Sequence, residues 1–205
     1  MRTLAIECAT EACSVALFEH GSLLAGELRV LGRGHAEALV PMIAALPGKG
    51  EAGRIAVSLG PGSFTGLRVG LAAARALAMA WQAELLGYPT LALVAAMARA
   101  QHGAQPISAV MNGGHGQWFL QEFDSHGSSL SAASSLSPAA AAAAAQADLV
   151  AGSQAEALIA LRGAGMALGL LPDARELLAM GTAELTPDVE LRYGRPPDAR
   201  LPGAV

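Results

Sequence analysis

Residues 58–70 read Ser-Leu-Gly-Pro-Gly-Ser-Phe-Thr-Gly-Leu-Arg-Val-Gly, and this run constrains the fold more than any other stretch of the chain. An apolar segment at 54–59 enters it, Gly60-Pro61-Gly62-Ser63 breaks the strand, and a strong helix-forming stretch at 65–81 leaves it. A strand that runs through a glycine turn into a helix places backbone amides at the helix start. That geometry serves either as a tight structural turn or as a loop that holds an anion. The spacing excludes three familiar motifs. No Lys-Ser or Lys-Thr follows the glycines, as a Walker loop requires. The last glycine of a dinucleotide fingerprint would fall one residue before Gly66. Pro61 and Thr65 stand where a nucleophile elbow around Ser63 needs glycines.

Around this run the chain reads as an α/β protein in two halves. Apolar runs at 4–6, 14–18 and 23–30, with a turn at His20-Gly21, predict an antiparallel meander. Leu39, Ile43 and Leu46 share one helical face in a helix over 35–46 that Pro47 and Gly48 close. A short strand at 85–88 stops at Pro89, and Thr90 is expected to cap a helix reaching Gln101. Residues 102–106 divide an N-terminal half, 1–102, from a smaller and more divergent α/β half, 103–205. In the second half strands are expected at 107–111, 118–123, 128–136, 149–151 and 166–168. Pro138 opens an alanine-rich helix, 172–180 reads as helical, and the Pro-rich last 20 residues read as extended.

Of the 205 residues, 53% are apolar and 15% charged, with a net charge of −4, which excludes disorder as the organising theme. Arg68 and Arg75 interrupt the longest apolar stretch, so no membrane span and no membrane partner are expected. The acidic balance argues against a stand-alone nucleic-acid binder. The first residues lack a signal-peptide pattern and there are two cysteines, so the expected compartment is the reducing cytoplasm.

Single side chains carry further readings. Gly66, Gly70, Ala74 and Ala78 recur every four residues and make a stripe almost without side chains, which lets another element approach closely. That element is either the chain's own sheet or a helix of another subunit, with the helix over 36–46 as its counterpart. Cys8 and Cys13 either face each other across the first hairpin or serve as small core residues. His35 caps or contacts a partner, or is a solvated loop residue. Arg33, Arg68 and Arg75 meet tRNA or phosphate, or are solvated. Trp118 and Phe119 read as core. The five histidines, at 20, 35, 102, 115 and 126, include no pair at helical ligand spacing.

The segment Glu7-Cys8-Ala9-Thr10-Glu11-Ala12-Cys13-Ser14-Val15-Ala16-Leu17, then Gly34-His35 before Leu39-Val40-Pro41-Met42-Ile43, then 60–70, resembles the TsaB (YeaZ) family. That family is an accessory protein of bacterial threonylcarbamoyladenosine synthesis on tRNA, a glycoprotease-like relative of TsaD. The resemblance covers about the first 100 residues, and Leu191-Arg192-Tyr193-Gly194-Arg195-Pro196-Pro197-Asp198 is similar to the family's closing segment.

The resemblance implies an actin-like (ASKHA, RNase H-like) ATPase fold of two related halves, the second reduced. It implies a pseudo-enzyme, because the stretch from Pro89 to Val94 has no counterpart of the His-x-x-x-His metal pair of TsaD. The family's first-strand Asp is Glu7 here, and one extra methylene moves a carboxylate by about 1.5 Å. The Asp-Ala-Arg with which the family's second half usually opens corresponds here to Asn112-Gly113-Gly114. Both changes speak against hydrolysis, and Glu7 reads as a solvated acid at a strand end. The implied role is a scaffold that binds a TsaD-like catalytic subunit, with a TsaE-like ATPase as further partner, tRNA reached only through the complex, and a homodimer when alone. Leu39, Ile43, Gly66, Gly70, Ala74 and Ala78 form the expected interface. Glu7, Thr10, Gly60, Gly62 and Ser63 form the candidate nucleotide or anion loop. No catalytic residue, metal or cofactor is required, and ADP or ATP at the subunit interface stays open. Two other classes remain: an actin-like-fold ATPase or small-molecule kinase, and a glycoprotease-type metallopeptidase. The first needs an acid partner for Glu7 after Met111, the second the missing histidine pair.

Overall fold

The computed structural model describes residues 1–181 and 184–194. Two five-stranded mixed sheets make up the protein. In the first, β1 (Arg2–Glu7), β2 (Ala12–Glu19) and β3 (Ser22–Val30) form the expected antiparallel meander. β4 (Arg54–Ser58) joins β1 in parallel and β5 (Glu84–Tyr88) joins β4, giving the order β3-β2-β1-β4-β5. The second sheet repeats this plan. β6 (Ile107–Gly114), β7 (Gln117–Phe123) and β8 (Ser134–Leu136) are antiparallel, and β9 (Leu149–Ala151) and β10 (Met166–Leu168) extend β6 in parallel. β6 therefore takes the place of β1, and three of the five strands have shrunk to three residues. The two sheets thus share one plan, as expected of two related α/β halves with the second reduced.

The alternation along the first sheet decides what covers each face. Leu4, Ile6, Val15, Leu17, Ile55 and Val57 pack under α1 (His35–Ala45) and α2 (Phe64–Trp81). The opposite face carries Ala5, Ala16 and Ala56 against α3 (Thr90–His102). Nine consecutive residues of α3, Thr90 to Ala98, are buried, because the helix packs on both sheets and is apolar all round. Alanines on the sheet let it approach closely. α4 (Pro138–Ala144) and α5 (Ala155–Arg162) cover the other face of the second sheet, over Val110, Trp118, Leu120 and Val150.

Three local expectations change, and one helix is new. Thr90 is the first helical residue of α3 rather than its cap; Pro89 holds the cap position and makes no side-chain bond. Of the strand expected over 128–136 only β8 and an isolated bridge between Ser129 and Phe123 form, and at Ser131 the hydroxyl, rather than a backbone carbonyl, accepts from the Glu122 amide. The helix expected over 172–180 is a 3-10 turn, Ala174–Glu176, followed by one turn, α6 (Leu177–Met180). α5 had no sequence expectation. The closing segment returns to the first half: Ala174 donates its amide to Ser14 Oγ at 2.8 Å, and Thr186 bridges Gly87. Residues 195–198 of the family-like C-terminal segment lie outside the described residues.

Candidate functional site

The Gly60–Ser63 turn lies at the carboxyl end of β4, and several of its polar groups are bonded within the chain. Ser63 donates its amide to the carbonyl of Ala9 at 2.7 Å. The Ser63 hydroxyl accepts from the Gly66 amide at 3.3 Å, so this side chain caps α2. Thr10 Oγ1 accepts from the Ala12 amide at 3.2 Å and so closes its own turn. A Cβ at Gly62 would overlap the Ala9 carbonyl, and one at Gly60 would overlap that of Arg192. Thr10, Gly60, Gly62 and Ser63 are thus brought together, as one packed junction between the 8–12 loop, α2 and the closing segment.

That segment supplies contacts the sequence did not announce. Arg192 donates its amide to Leu59 O at 2.8 Å. The Tyr193 ring lies 4.9 Å from that of Phe64, and the Arg68 guanidinium sits 3.7 Å over Phe64 while donating to Tyr193 Oη at 3.1 Å. Arg75 reaches the carbonyl of Val189 at 3.1 Å. Arg68 and Arg75 hold the closing segment in this way, whereas Arg33 stays exposed beside a cleft of about 490 Å³ between the starts of α1 and α2. A larger groove of about 690 Å³ lies between the halves, lined by Gly60, Pro61, Gln121, Ser131, Glu184 and Arg192.

Glu7 is fully buried, which corrects the expectation of a solvated strand-end acid. β1 ends beneath the glycines of α2, so its last side chain is enclosed. Oε1 accepts from the Ala9 amide at 2.7 Å, while Oε2 is buried without a hydrogen-bond partner. Desolvation pushes its pKa up to about 7, against the smaller opposing effect of the Ala9 amide and the Ser58 and Tyr88 hydroxyls. The carboxyl lines neither the cleft nor the groove, and it does not join Thr10 and Ser63 in one open site.

The small-residue stripe also turns inward. A Cβ at Gly66 would overlap the Cys8 carbonyl; at Gly70 it would lie 3.4 Å from Cys8 Cβ and 3.6 Å from Val57 Cγ2. Ala74 is buried and Ala78 half-buried in the same core, and Leu39 and Ile43 of α1 are buried there too. Leu39, Ile43, Gly66, Gly70 and Ala74 thus pack on the chain's own sheet and are not partner-facing side chains, while Ala78 lies half-buried at the margin of that core. What α1 and α2 present outward is a different and mixed set: Val40, 61% exposed, Met79, 82% exposed, and exposed alanines such as Ala36, Ala44, Ala72 and Ala76, together with the charged Glu37, Arg68 and Arg75.

The remaining candidates find simple places. His35 is buried, its Nε2 within 2.9 Å of Thr10 O and 3.2 Å of Ala12 O, so it pins the 8–12 loop from the start of α1 rather than standing in solvent. Trp118 and Phe119 are core residues. Cys8 and Cys13 are buried free thiols with their sulfurs 3.6 Å apart. Asn112 Oδ1 accepts from the Gly114 amide at 2.8 Å. Among the described residues no three His, Cys, Asp or Glu side chains gather closely enough to hold a metal ion, and no helix is long and apolar enough to cross a membrane.

Comparison with known proteins agrees with this architecture. The family model described as TsaD, tRNA N6-adenosine threonylcarbamoyltransferase, matches residues 29–176. The chain is 35% identical over 128 residues to the Escherichia coli (strain K12) tRNA threonylcarbamoyladenosine biosynthesis protein TsaB, covering 60% of this chain and 55% of that one. It is 34% identical over 115 residues to the Haemophilus influenzae protein of the same description, covering 53% and 48%. The chain thus spans about half the length of the curated relatives it matches. YeaZ from Pseudomonas aeruginosa superposes with a TM-score of 0.79 at 27% identity, over 94% of this chain and 99% of that one. With its sheet order, its Gly60–Gly70 segment and these matches in agreement, the chain belongs to the TsaB (YeaZ) family of tRNA threonylcarbamoyladenosine biosynthesis proteins, within the wider TsaD-type family.

Proposed function

We propose that this chain is a non-catalytic cytoplasmic subunit that binds a TsaD-like catalytic subunit and supports threonylcarbamoyl transfer to adenosine in tRNA. The observation that carries the reading is the outward surface of α1 and α2. Val40 and Met79 stand out among exposed alanines, with Glu37, Arg68 and Arg75 on the same helices, so exposed apolar side chains are rimmed by charge as at a protein contact. The inward stripe of Gly66, Gly70 and Ala74 serves this surface indirectly, by seating α2 on the sheet. Alone, the same face pairs with a second copy. A TsaE-like ATPase joins the assembly, and tRNA is met through the complex. The subunit needs no cofactor, and any ADP or ATP lies between the two subunits rather than at the Ser63 amide, which Ala9 already occupies.

The non-catalytic reading is supported by the lack of histidine at 89–94 and by the enclosure of Glu7. Reconstitution tests it: the chain is mixed with the TsaD-like subunit of the same organism, tRNA and the activated threonylcarbamoyl donor. Modified adenosine forms only when both subunits are present. Transfer by this chain alone, or full transfer without it, contradicts the proposal.

A further inference from the structure

The two cysteines of the chain meet at one point, and nothing in the proposed function uses them. The β1–β2 ladder pairs Glu7 with Ser14, and one further step sets Cys8 opposite Cys13 at the mouth of the first hairpin. Directly opposed residues of antiparallel strands have Cα atoms about 4.5–5.5 Å apart, within the span that a disulfide bridges. The sulfurs are already 3.6 Å apart, sharing a single S–H···S bond. Closing that gap to a disulfide length of about 2.05 Å needs a movement of about 1.5 Å.

We infer that Cys8 and Cys13 are a redox-responsive pair that closes to an intramolecular disulfide when the chain meets hydrogen peroxide. The shared hydrogen bond holds the Cys13 thiol below its usual range and pushes that of Cys8 up, so Cys13 is the attacking sulfur. The Cys13 thiolate attacks one peroxide oxygen, the O–O bond breaks, and hydroxide leaves to become water, giving a sulfenic acid. The Cys8 thiol then loses its proton and attacks the Cys13 sulfur, and the sulfenic oxygen departs as a second water. Two thiols and one peroxide become one disulfide and two waters. The bond has a structural address. The Cys8 carbonyl lies against Gly66 and its thiol side against Gly70, so drawing Cys8 towards Cys13 acts on the seat of α2.

The test uses the tryptic peptide of residues 3–29, which contains both cysteines and no methionine, so methionine oxidation elsewhere does not obscure it. The full chain is treated with peroxide at neutral pH, denatured, alkylated with iodoacetamide and digested. The expected peptide is about 2 Da lighter than the dithiol form and carries no alkyl group, and dithiothreitol before alkylation restores two. In Cys8→Ser the same treatment gives a Cys13 sulfenic acid that dimedone traps. Two alkylated thiols after peroxide, or a disulfide found only between chains, overturns the inference.

Discussion

The carbonyl oxygen of Cys8 fills the space that a Cβ would take at Gly66, so α2 rests directly on the end of β1. Side chains added along this stripe therefore meet the chain's own backbone before they meet any partner. Overpacking a tight contact costs ~1–3 kcal/mol. Gly66→Ala and Gly70→Leu are expected to lower the melting temperature by roughly 2–10 °C for a chain of this size. Sedimentation of the folded fraction should show self-association unchanged. A weakened dimer with an unaltered melting temperature would put the stripe back at an interface.

Glu7 makes stability depend on pH in a defined direction. Its folded pKa of about 7 lies above the 4.5 of an unperturbed glutamate, so folding favours the protonated form. The stabilisation is complete below about pH 4.5 and is lost as pH rises through 7. By alkaline pH the loss is on the order of 3 kcal/mol. Glu122, whose pKa burial also raises, adds a slope of the same sign. Melting curves of the chain and Glu7→Gln from pH 5 to 8 should differ mainly in steepness, with the variant flatter. Parallel curves would show that Glu7 does not titrate in this window.

The closing segment is held at its end by Tyr193 against Phe64 and Arg68. An aromatic pair and an exposed cation–π contact together contribute ~1–2 kcal/mol. Tyr193→Ala should therefore speed hydrogen exchange at the Arg192 and Thr186 amides, which bond Leu59 and Gly87, while the β1 amides keep their protection. Equal loss across β1 would show that the segment is not a local unit.

The strand-turn-helix at 54–81 and the meander were legible because apolar period and turn residues agree there on one answer. The direction of the small-residue stripe was not. Gly66, Gly70, Ala74 and Ala78 specify close approach, but only the position of Cys8 beneath them says to what. Glu7 was misread for a similar reason, since an acid at a strand end is solvated unless a helix closes over it. The 128–133 stretch pairs with β7 only through the Ser129–Phe123 bridge, and beyond it the Ser131 hydroxyl takes the Glu122 amide that a ladder carbonyl would take. The bonds from Arg192 and Tyr193 to residues more than 100 positions earlier have no local signal at all.

The central claim is that the outward face of α1 and α2 binds the catalytic subunit, and titration calorimetry against that TsaD-like subunit tests it most directly. Met79 and Val40 are exposed, so Met79→Asp and Val40→Asp should leave the melting temperature within about 2 °C of the parent. A charge set into an apolar contact of this kind costs about 2 kcal/mol or more, so the dissociation constant should rise about 10- to 100-fold. Folded variants that bind the catalytic subunit as tightly as the parent chain would contradict the account.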